Sequence, residues 1–382
     1  MIRRLISYST FYVLRDMRVL IAFCLTALPL VASYSWKPTE KYLKNSLAGA
    51  SVYQIYPRSF KDSDGDGVGD LKGVIQKLDH LIDANVDIIW LSPIFSSPMV
   101  DFGYDISDFR NIYPTFGTIK DLEDLTREAH KVGIKVLLDF VPNHTSDQHE
   151  WFKKSLEGIK PYSDYYIWHP GKVLENGTRV PPSNWVGNHD QRRLVSKLGE
   201  PRARALTVMT LLLPGVSVTY NGDEIGMSDT WISWEDTQDP QACLAGILKY
   251  NTSSRDPART PFQWDSSVSA GFSTNSTTWL KVNDNYKTVN LAAEKKDKNS
   301  FYTLYKKVST LKKSPYLKGA DLTTKMLSEN VFAFARETEK DGSVYTIINY
   351  SDEDDVVDLS AFKNAPKNLD VFYATAKSTM LS

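Results

Sequence analysis

Hydrophobic and polar positions near the start of the chain alternate in blocks that predict strands followed by helices. Val52–Pro57 is a short β-type run ended by proline, and Leu71–Ile82 has apolar residues at helical spacing. Ile88–Leu91 predicts a second strand, and a helix over Leu122–Val132 leads into a continuous apolar strand over Ile134–Phe140. Strands that are apolar on both faces and alternate with helices favour an α/β fold, in which helices cover a parallel sheet.

The periodic pattern is lost between residues 146 and 185 and then returns. The stretch between them is aromatic, polar and interrupted by Gly and Pro, so it predicts an inserted loop domain. Beyond it the pattern predicts a helix, a strand and a second helix, at Ala203–Leu213, Val216–Tyr220 and Phe301–Leu311. From about residue 317, short alternating runs such as 331–335 and 344–348 predict a small C-terminal β domain, with a break near 312–318.

An apolar segment near the N-terminus predicts a secretory signal peptide. Arg15 and Arg18 precede the apolar run Val19–Ala32, and Val31–Ser33 offers small residues for cleavage. The run has 14 residues, fewer than the roughly 20 that a spanning helix needs. A membrane anchor is the alternative, but the sequence favours a secreted, extracellular protein, in a gut lumen or a similar place. Residues 1–16 would then be an upstream extension of unknown role.

Composition and charge exclude several classes of partner. The 382 residues carry a formal net charge of -1, which gives no basic field for nucleic acid or anionic lipid. Aromatic residues make up 12%, which suits stacking on sugar faces as well as an ordinary aromatic core. The two cysteines predict no disulfide framework. N-glycosylation sequons that suit a secreted product occur at Asn176, Asn251, Asn275 and Asn349.

The loop Asp62–Asp70 is a candidate site for a hard cation. It holds four carboxylates, Asp62, Asp64, Asp66 and Asp70, among glycines that allow the backbone to curl and several oxygens to converge. Such a ligand set predicts Ca²⁺. The loop begins like an EF-hand, but Gly73 occupies the position of the bidentate Glu, and the flanks are a strand and a helix. The alternative is a solvated acidic turn.

Five polar motifs follow predicted strands and helices in a fixed order. Taken alone, each is weak, because a His beside an Asp is more often a structural pair. Together they are specific. The motifs are Asp101–Ile106, Asp139–His144, Gly187–Asp190, Gly222–Met227 and Ser254–Trp264. With them the chain resembles the α-glucosidases of glycoside hydrolase family thirteen, and among these the secreted maltases of insects, from about residue 52 to its end.

The resemblance implies a (β/α)8 barrel whose site lies at the carboxyl ends of the strands, and retaining hydrolysis of terminal α-1,4-linked glucose from maltose, sucrose and short oligosaccharides. Asp101 and Tyr104 would hold and stack the terminal glucose, while His144 and His189 would hydrogen-bond its hydroxyls. Asp190 would fix the 2- and 3-hydroxyls and stabilise the transition state. The remaining implied roles are Arg259 beside the same cluster, Asp139 and Asn143 in the floor, and Asp62, Asp64, Asp66, Asp70 and the Val68 carbonyl around Ca²⁺.

The chain departs from the family in the middle of the barrel. Members carry a Gly-Phe-Arg-Ile-Asp-Ala type motif with the nucleophilic Asp after the fourth strand, and the acid/base Glu after the fifth. Neither motif occurs in this sequence. At the seam, Pro181–Gln191, inserted-domain sequence runs directly into the His189–Asp190 pair that normally follows the seventh strand. We therefore expect a barrel that lacks strands four to six and the family's catalytic chemistry.

The expected organisation is a signal segment at 1–35, an incomplete barrel domain at 36–312 with a remnant of the inserted domain at 146–185, and an all-β sandwich domain at 313–382. The expected partner is an α-glucoside or glucose. Two interpretations from other classes stay open. One is a non-catalytic sugar-binding or regulatory protein. The other is a relative of the membrane-anchored heavy subunits of amino-acid transporters, which resemble maltases and lack catalysis.

Overall fold

The computed structural model of the protein describes residues 33–37, 47, 49–141, 144–166, 189–314, 317, 319–338, 342–349, 351, 353–362 and 365. They form two compact units, one within Lys41–Lys318 and the other combining the first strand with residues from Gly319 onward. The strands are β1 Ser33–Trp36, β2 Ser51–Ile55, β3 Ile88–Leu91, β4 Phe95–Ser96, β5 Asp108–Ile112, β6 Lys135–Leu138, β7 Ser217–Tyr220, β8 Asp321–Met326, β9 Val331–Glu337 and β10 Ser343–Asn349.

The α-helices whose bounds follow all lie in the larger unit, and the first seven of them lie between its strands. They are α1 Pro57–Phe60, α2 Leu71–Gln76, α3 Leu78–Asp83, α4 Ile119–Lys131, α5 Glu150–Leu156, α6 Leu194–Leu198, α7 Glu200–Leu212, α8 Pro240–Ala245, α9 Tyr250–Ser253, α10 Asp256–Arg259, α11 Leu291–Glu294 and α12 Phe301–Lys312. The elements predicted around residues 52, 88, 122, 134, 203, 216 and 301 are thereby confirmed as to type.

A four-stranded parallel sheet forms the centre of the larger unit, with the strand order β6-β3-β2-β7. Strand β2 is buried along its whole length, including the polar residues Ser51 and Gln54. Strand β7 comes late in the chain but pairs in parallel with the first strand of the sheet, with Val52 opposite Val218. Elements far apart in sequence therefore bring their carboxyl ends together.

The two outer strands of this sheet are partly exposed. Leu137 in β6 is 49% exposed, and Val218 in β7 is 47% exposed. Residues 181–188 of the seam lie outside the described part of the chain, and the described sheet has two edges and no closure. Three successive apolar residues, as in Val136–Leu138 of β6, are typical of a strand that is covered on both faces. In the described part of the chain, that cover is incomplete.

Two local predictions needed correction. The helix predicted over Leu71–Ile82 is two helices, because the backbone leaves helical geometry at Lys77 and its N–H bonds to the Val74 carbonyl one position short of the helical partner. Helix α4 begins at Ile119, earlier than predicted, because Thr118 and Asp121 form a capping box.

The segment without periodicity contains a short helix, α5, that the pattern did not predict. The ring nitrogen Nδ1 of His149 accepts a hydrogen bond from the Trp151 N–H at 3.1 Å and caps this helix. Trp151 also contacts Phe109 and Tyr165. Aromatic contacts of this kind contribute apolar burial without a periodic pattern. Residues 167–188, which include most of the seam, lie outside the described part of the chain.

The smaller unit contains an antiparallel sheet in the order β1-β8-β9-β10. Ala333 and Ala335 in β9 form a buried cluster with Phe362. The alternating pattern of the C-terminal region thus predicted antiparallel strands correctly. Strand β1 begins inside the segment expected to be a signal peptide and pairs with β8, with Ser35 opposite Thr323.

Candidate functional site

Most of the predicted sugar-site residues gather at the carboxyl ends of β2, β3, β6 and β7. The loops after these strands carry Tyr56, Tyr104, Asp139 and Asn221, and each strand ends one to thirteen positions earlier in the sequence. In parallel sheets the carboxyl ends of the strands share one edge, where active sites of α/β barrels are built. The loop that follows the seam brings His189 and Asp190 to the same place.

His189 lies between two tyrosine rings. Its imidazole stacks on Tyr56, with centroids 5.2 Å apart, and on Tyr104, with centroids 5.4 Å apart, at 11° to each. The Gln54 amide Nε2 donates to His189 Nδ1 at 3.2 Å, so the imidazole proton belongs on Nε2. Among the described residues this buried Nε2 has no hydrogen-bond partner; the carboxylate of Asp190 is 3.6 Å away. The His189 Nε2–H is therefore a buried hydrogen-bond donor that a ligand could satisfy.

The protonation state of His189 follows from its burial. Burial lowers its pKa to about 4, although the Asp190 carboxylate acts in the opposite direction. The imidazole is therefore neutral near pH 7. A neutral imidazole with its proton fixed on one nitrogen is a directional hydrogen-bond donor.

Asp190 is held by two arginines. Its Oδ1 accepts from Arg259 Nη2 at 2.6 Å and from Arg255 Nη1 at 3.4 Å, and Arg259 Nε also donates to the His189 carbonyl at 2.8 Å. Partial burial alone would raise the pKa of Asp190, but His189, Arg259 and Arg255 outweigh it and lower this pKa. The side chain stays ionised and faces outward in part.

Arg255 is a site residue that the sequence prediction missed. Its Nη2 donates to Asp239 at 2.6 Å and to Asp101 at 3.0 Å, and its Nη1 contacts Asp190. One guanidinium thus links three carboxylates from three different loops. The motif Ser254–Trp264 holds two arginines four residues apart, a spacing that places side chains on one face of a helical turn; only Arg259 was predicted.

The loop that carries Asp101 and Tyr104 is fixed by internal bonds. The Asp105 carboxylate accepts the Val100 N–H at 2.8 Å and the Asp101 N–H at 3.0 Å. Phe102 has a φ of 48°, a left-handed conformation that costs a non-glycine residue energy and is common near functional sites. Positive φ at Phe102 is maintained by ring contacts, including Trp279 at 5.6 Å.

The floor residue Asp139 and the predicted sugar-binding residue His144 contact the same tyrosine, Tyr104. Asp139 Oδ2 accepts from the Tyr104 hydroxyl at 3.3 Å and from Trp90 Nε1 at 3.2 Å, and burial raises the pKa of Asp139. His144 Nε2 lies 2.9 Å from the Tyr104 carbonyl and is exposed. Asn143 lies outside the described residues. The structure therefore brings Asp101, Tyr104, Asp190, His189 and Arg259 together and places His144 at the back of the Tyr104 loop.

Glu224, from the Gly222–Met227 motif, is fully buried and has hydrogen-bond partners that do not belong to this cluster. Its carboxylate accepts hydrogen bonds from the Tyr53 hydroxyl at 2.7 Å and the Gly222 N–H at 2.8 Å, and lies 2.9 Å from His80 Nε2. These partners join β2, α3 and the turn after β7. The motif thus contributes a buried carboxylate that links three elements of the fold. The sequence did not predict that His80 is one of its partners.

The acidic loop brings three of its four carboxylates together. Ligand atoms of Asp62, Asp64 and Asp70 lie within 4.8 Å of one another. Asp66 lies outside this group, and its Oδ1 accepts the Val68 N–H at 2.7 Å. Burial opposes ionisation of Asp62, but hydrogen bonds from the Ser273 hydroxyl and from backbone N–H groups outweigh it and lower its pKa. Ionised oxygens that converge in this way fit a hard cation.

Comparison with known proteins identifies the class. The model of the alpha-amylase catalytic domain matches residues 54–187 and 185–319, which is well over half of the chain. The chain therefore belongs to the alpha-amylase family of glycoside hydrolases, and within it to the insect α-glucosidases. The α-glucosidase of Apis mellifera is 43% identical over 545 positions, covering 96% of this chain and 95% of that one. The salivary alpha-glucosidase of Aedes aegypti is 30% identical and covers 84% and 89%.

A solved structure agrees with the fold. The trehalulose synthase MutB from Pseudomonas mesoacidophila has a TM-score of 0.70 at 25% identity, covering 80% of this chain and 91% of that chain. The resemblance to a barrel glycosidase, predicted from five motifs, is confirmed. The two matches to the family model meet at residues 185–187, inside the seam. With 382 residues in this chain, at least 163 of the 545 aligned positions (545 minus 382) face a gap in it.

Proposed function

We propose that this protein is a secreted relative of the α-glucosidases that binds the terminal glucose of an α-glucoside and does not cleave it. The observation that carries the proposal is the His189 stack. A neutral imidazole, clamped between Tyr56 and Tyr104, presents a buried Nε2–H that has no hydrogen-bond partner in the described part of the chain. A buried donor of this kind is costly unless a ligand or water meets it.

The groups around this donor suit a neutral polyol. Asp190 and Asp101 are carboxylates that accept hydroxyl protons, and their exposed oxygens lie beside Arg255. Because His189 and the two arginines lower the pKa of Asp190, its carboxylate remains an acceptor at neutral pH. A donor from the imidazole and acceptors from two carboxylates match vicinal hydroxyls, each of which both donates and accepts.

The chemistry of cleavage is what the chain lacks. Retaining hydrolysis needs two carboxyl groups about 5 to 5.5 Å apart, one as nucleophile and one as acid. The motifs that supply them in the family are absent from the sequence. Two of the remaining carboxylates already have other partners. Asp190 accepts hydrogen bonds from Arg259 and Arg255, and Glu224 is buried and accepts one from the Tyr53 hydroxyl. A loss of barrel strands four to six would account for both absences, and it is supported by the two family matches, which meet inside the seam.

Secretion is the second part of the proposal. It rests on the predicted signal peptide and on relatives that are named salivary alpha-glucosidases. In the described ranges, every helix is too short or too polar to cross a bilayer.

Binding is tested by titrating the purified protein with maltose and with glucose by calorimetry. We expect saturable binding that His189→Gln and Asp190→Asn weaken about tenfold each, since each removes one hydrogen bond worth about 1 to 2 kcal/mol. His130→Gln is the matched control because His130 is exposed on α4, away from the cluster. Equal affinity in wild type and His189→Gln would contradict the proposal.

Ca²⁺ is proposed for the acidic loop, with Asp62, Asp64 and Asp70 as the carboxylates that converge and with Asp66 and the Val68 carbonyl as further expected ligands. The cation would offset the repulsion of three ionised groups and rigidify the loop after β2. Calorimetry with Ca²⁺ on protein stripped by chelator should show one site. The double variant Asp64→Ala, Asp66→Ala is the control, and heat no larger than that of the control would reject the site.

A further inference from the structure

A helical hairpin beside the candidate site exposes aliphatic side chains. Helices α8 and α9 pack against each other and are joined by a short turn. Leu244 is 90% exposed, Leu248 is 92% exposed and Ile247 is 59% exposed; we call these three residues the apolar tip. Complete burial of one such side chain is worth about 1.5 to 3 kcal/mol. A cluster of three that faces water marks a surface that something covers.

The base of the hairpin is rigid, so the tip keeps its position. Buried Asp239 precedes α8, and its carboxylate accepts from the Arg255 backbone N–H at 2.7 Å and from Arg255 Nη2 at 2.6 Å. Asp256 closes the base from the other side by accepting the Asp239 N–H at 2.8 Å. These bonds join the start of the hairpin to its end. The tip therefore cannot fold back onto the protein without breaking a buried ion pair.

The sequon Asn251-Thr252-Ser253 lies on the same hairpin, three residues after Leu248. Asn251 is exposed, and its side chain makes no hydrogen bond within the described part of the chain. The Thr252 hydroxyl donates to the Lys249 carbonyl at 2.9 Å and orders the turn, while the Asn251 amide projects from the surface. An N-linked sugar needs an acceptor amide of this kind on the surface of the folded protein.

The other described sequons differ from Asn251. The Asn275 amide Nδ2 donates to the Gly65 carbonyl at 3.2 Å, and its Oδ1 accepts the Thr277 N–H at 2.9 Å. A sugar on Nδ2 would displace the acidic loop there. The Asn349 amide donates to the Glu353 carbonyl at 2.7 Å, which ties it to a turn. Asn176 lies outside the described residues.

We propose that Asn251 carries an N-linked glycan that covers the apolar tip. The inference rests on the secretory route of the proposed function. A bond forms between Asn251 Nδ2 and the anomeric carbon of an oligosaccharide, while that carbon's bond to a lipid-linked diphosphate breaks. The amide loses one proton, and the lipid diphosphate leaves with the bonding electrons. The C–H faces of the sugar rings lie against Leu244 and Leu248, and the hydroxyls face water.

Occupancy is measured on the full chain expressed in insect cells, from medium and from cell lysate. Peptide-N-glycosidase in H₂¹⁸O converts an occupied Asn to ¹⁸O-labelled Asp, which mass spectrometry locates. We expect label at Asn251 and none at Asn275. Ser253→Ala should remove one glycan from the intact protein, while Thr277→Ala, the matched loss of a sequon, should remove none. Label at Asn275 or Asn349 with Asn251 unmodified would overturn the inference while leaving the secretory route standing.

A separate measurement tests whether the glycan covers the apolar tip. Ser253→Ala should increase the fluorescence of the apolar dye ANS roughly twofold, because a new apolar patch reaches water, and Leu244→Ser with Leu248→Ser in that background should reverse the increase. Unchanged fluorescence on loss of the Asn251 glycan would overturn the covering role. A chain with no label at any of its five sequons, Asn143 included, would overturn both this inference and the secretory route.

Discussion

The inner and the outer strands of the parallel sheet have similar sequences but different surroundings. Strand β2 is buried at every position, whereas β6 alternates between exposed and half-buried positions, with Leu137 among the exposed ones. In β7, Val218 is exposed beside buried Ser217. Apolar residues in the strands of a parallel sheet are ordinarily covered by neighbouring strands and helices. The mismatch at β6 and β7 therefore marks the two places where neighbouring strands are expected and none is described.

The residues expected to bind the sugar and the residues expected to cleave it belong to different strands of the sheet. Tyr56 and Tyr104 follow the inner strands β2 and β3 and keep a stacked imidazole between them. Asp190 and its arginines come from the end of the barrel that adjoins β7. The nucleophile and the acid belong to strands that would lie beyond the outer edges. In the proposed function, the remaining strand ends bind the sugar, and the strands that would carry the reactive groups are missing.

The largest effect that tests this division is the rate of hydrolysis. We expect no release of glucose from maltose above a level about 10⁴ to 10⁶ below that of an active relative, because the nucleophile is absent. Purified protein is assayed with Asp190→Ala beside it. Turnover of order 1 to 10³ per second that Asp190→Ala abolishes would show that the remaining carboxylates form a working pair.

A second test compares an inner residue with an edge residue. Glu224→Ala should lower the free energy of unfolding by about 3 to 5 kcal/mol, because it leaves the Tyr53 hydroxyl and His80 unpaired in the core. Leu137→Ala at the exposed edge should cost about 1 kcal/mol or less. Urea denaturation measures both, and Glu224→Gln serves as the control of equal shape. Similar losses for the two alanine variants would mean that the edge is covered.

The pH dependence of stability offers a smaller effect. Burial raises the pKa of Glu294 to about 7, although the Tyr302 N–H opposes the change. The folded state therefore binds this proton more tightly than the unfolded state. Its stabilising effect is complete below the ordinary pKa of 4.5 and is lost as the pH rises through 7. Stability should fall by about 1 to 3 kcal/mol between pH 5 and pH 8.

Glu294→Gln isolates this effect because it removes the titrating group and keeps the acceptor for the Tyr302 N–H. The variant should lose most of the slope between pH 5 and pH 8 when urea midpoints are compared. Asp223, whose pKa burial raises to about 6, should supply the slope that remains. An unchanged slope in Glu294→Gln would refute the assignment.

The smallest change in stability, within about 0.5 kcal/mol, is expected for Leu137→Lys and Val218→Lys. Both side chains are half-exposed on edge strands, and lysine on an edge discourages pairing with another chain. Their effect should appear in association instead. Light scattering at rising protein concentration should show wild-type oligomers and more monomer in the double variant. A monodisperse wild-type monomer with a sharp, reversible thermal transition would mean that these edges are not available for pairing.

Sequence periodicity predicted the elements of the sheet well, since strands such as Ile88–Leu91 combine a continuous apolar run with flanking breakers. It did not predict the break at Lys77, because a single backbone hydrogen bond to Val74 decides it. The helix α5 was missed because its cap is His149, a residue type that is rarely read as a helix start.

Residues of the candidate site could be predicted where they lie within a recognisable local motif, as Asp101, His189 and Asp190 do. It was less predictable where contacts join distant loops. Arg255 meets Asp239 and Asp101 across loops that are 16 and 154 residues away in sequence, and no local pattern records that meeting. Asp66 was expected to converge with the other acidic residues, but its oxygen turns to a backbone N–H within its own loop.

The imidazole between the two tyrosines also has a spectroscopic consequence. Protons held over the faces of aromatic rings are magnetically shielded, and His189 has a ring on each side at 5.2 and 5.4 Å. Its carbon-bound protons should therefore resonate apart from those of the other histidines among the six in the sequence. A sugar that hydrogen-bonds to Nε2 would shift these resonances. Proton NMR of the unlabelled protein would therefore detect ligand binding at His189.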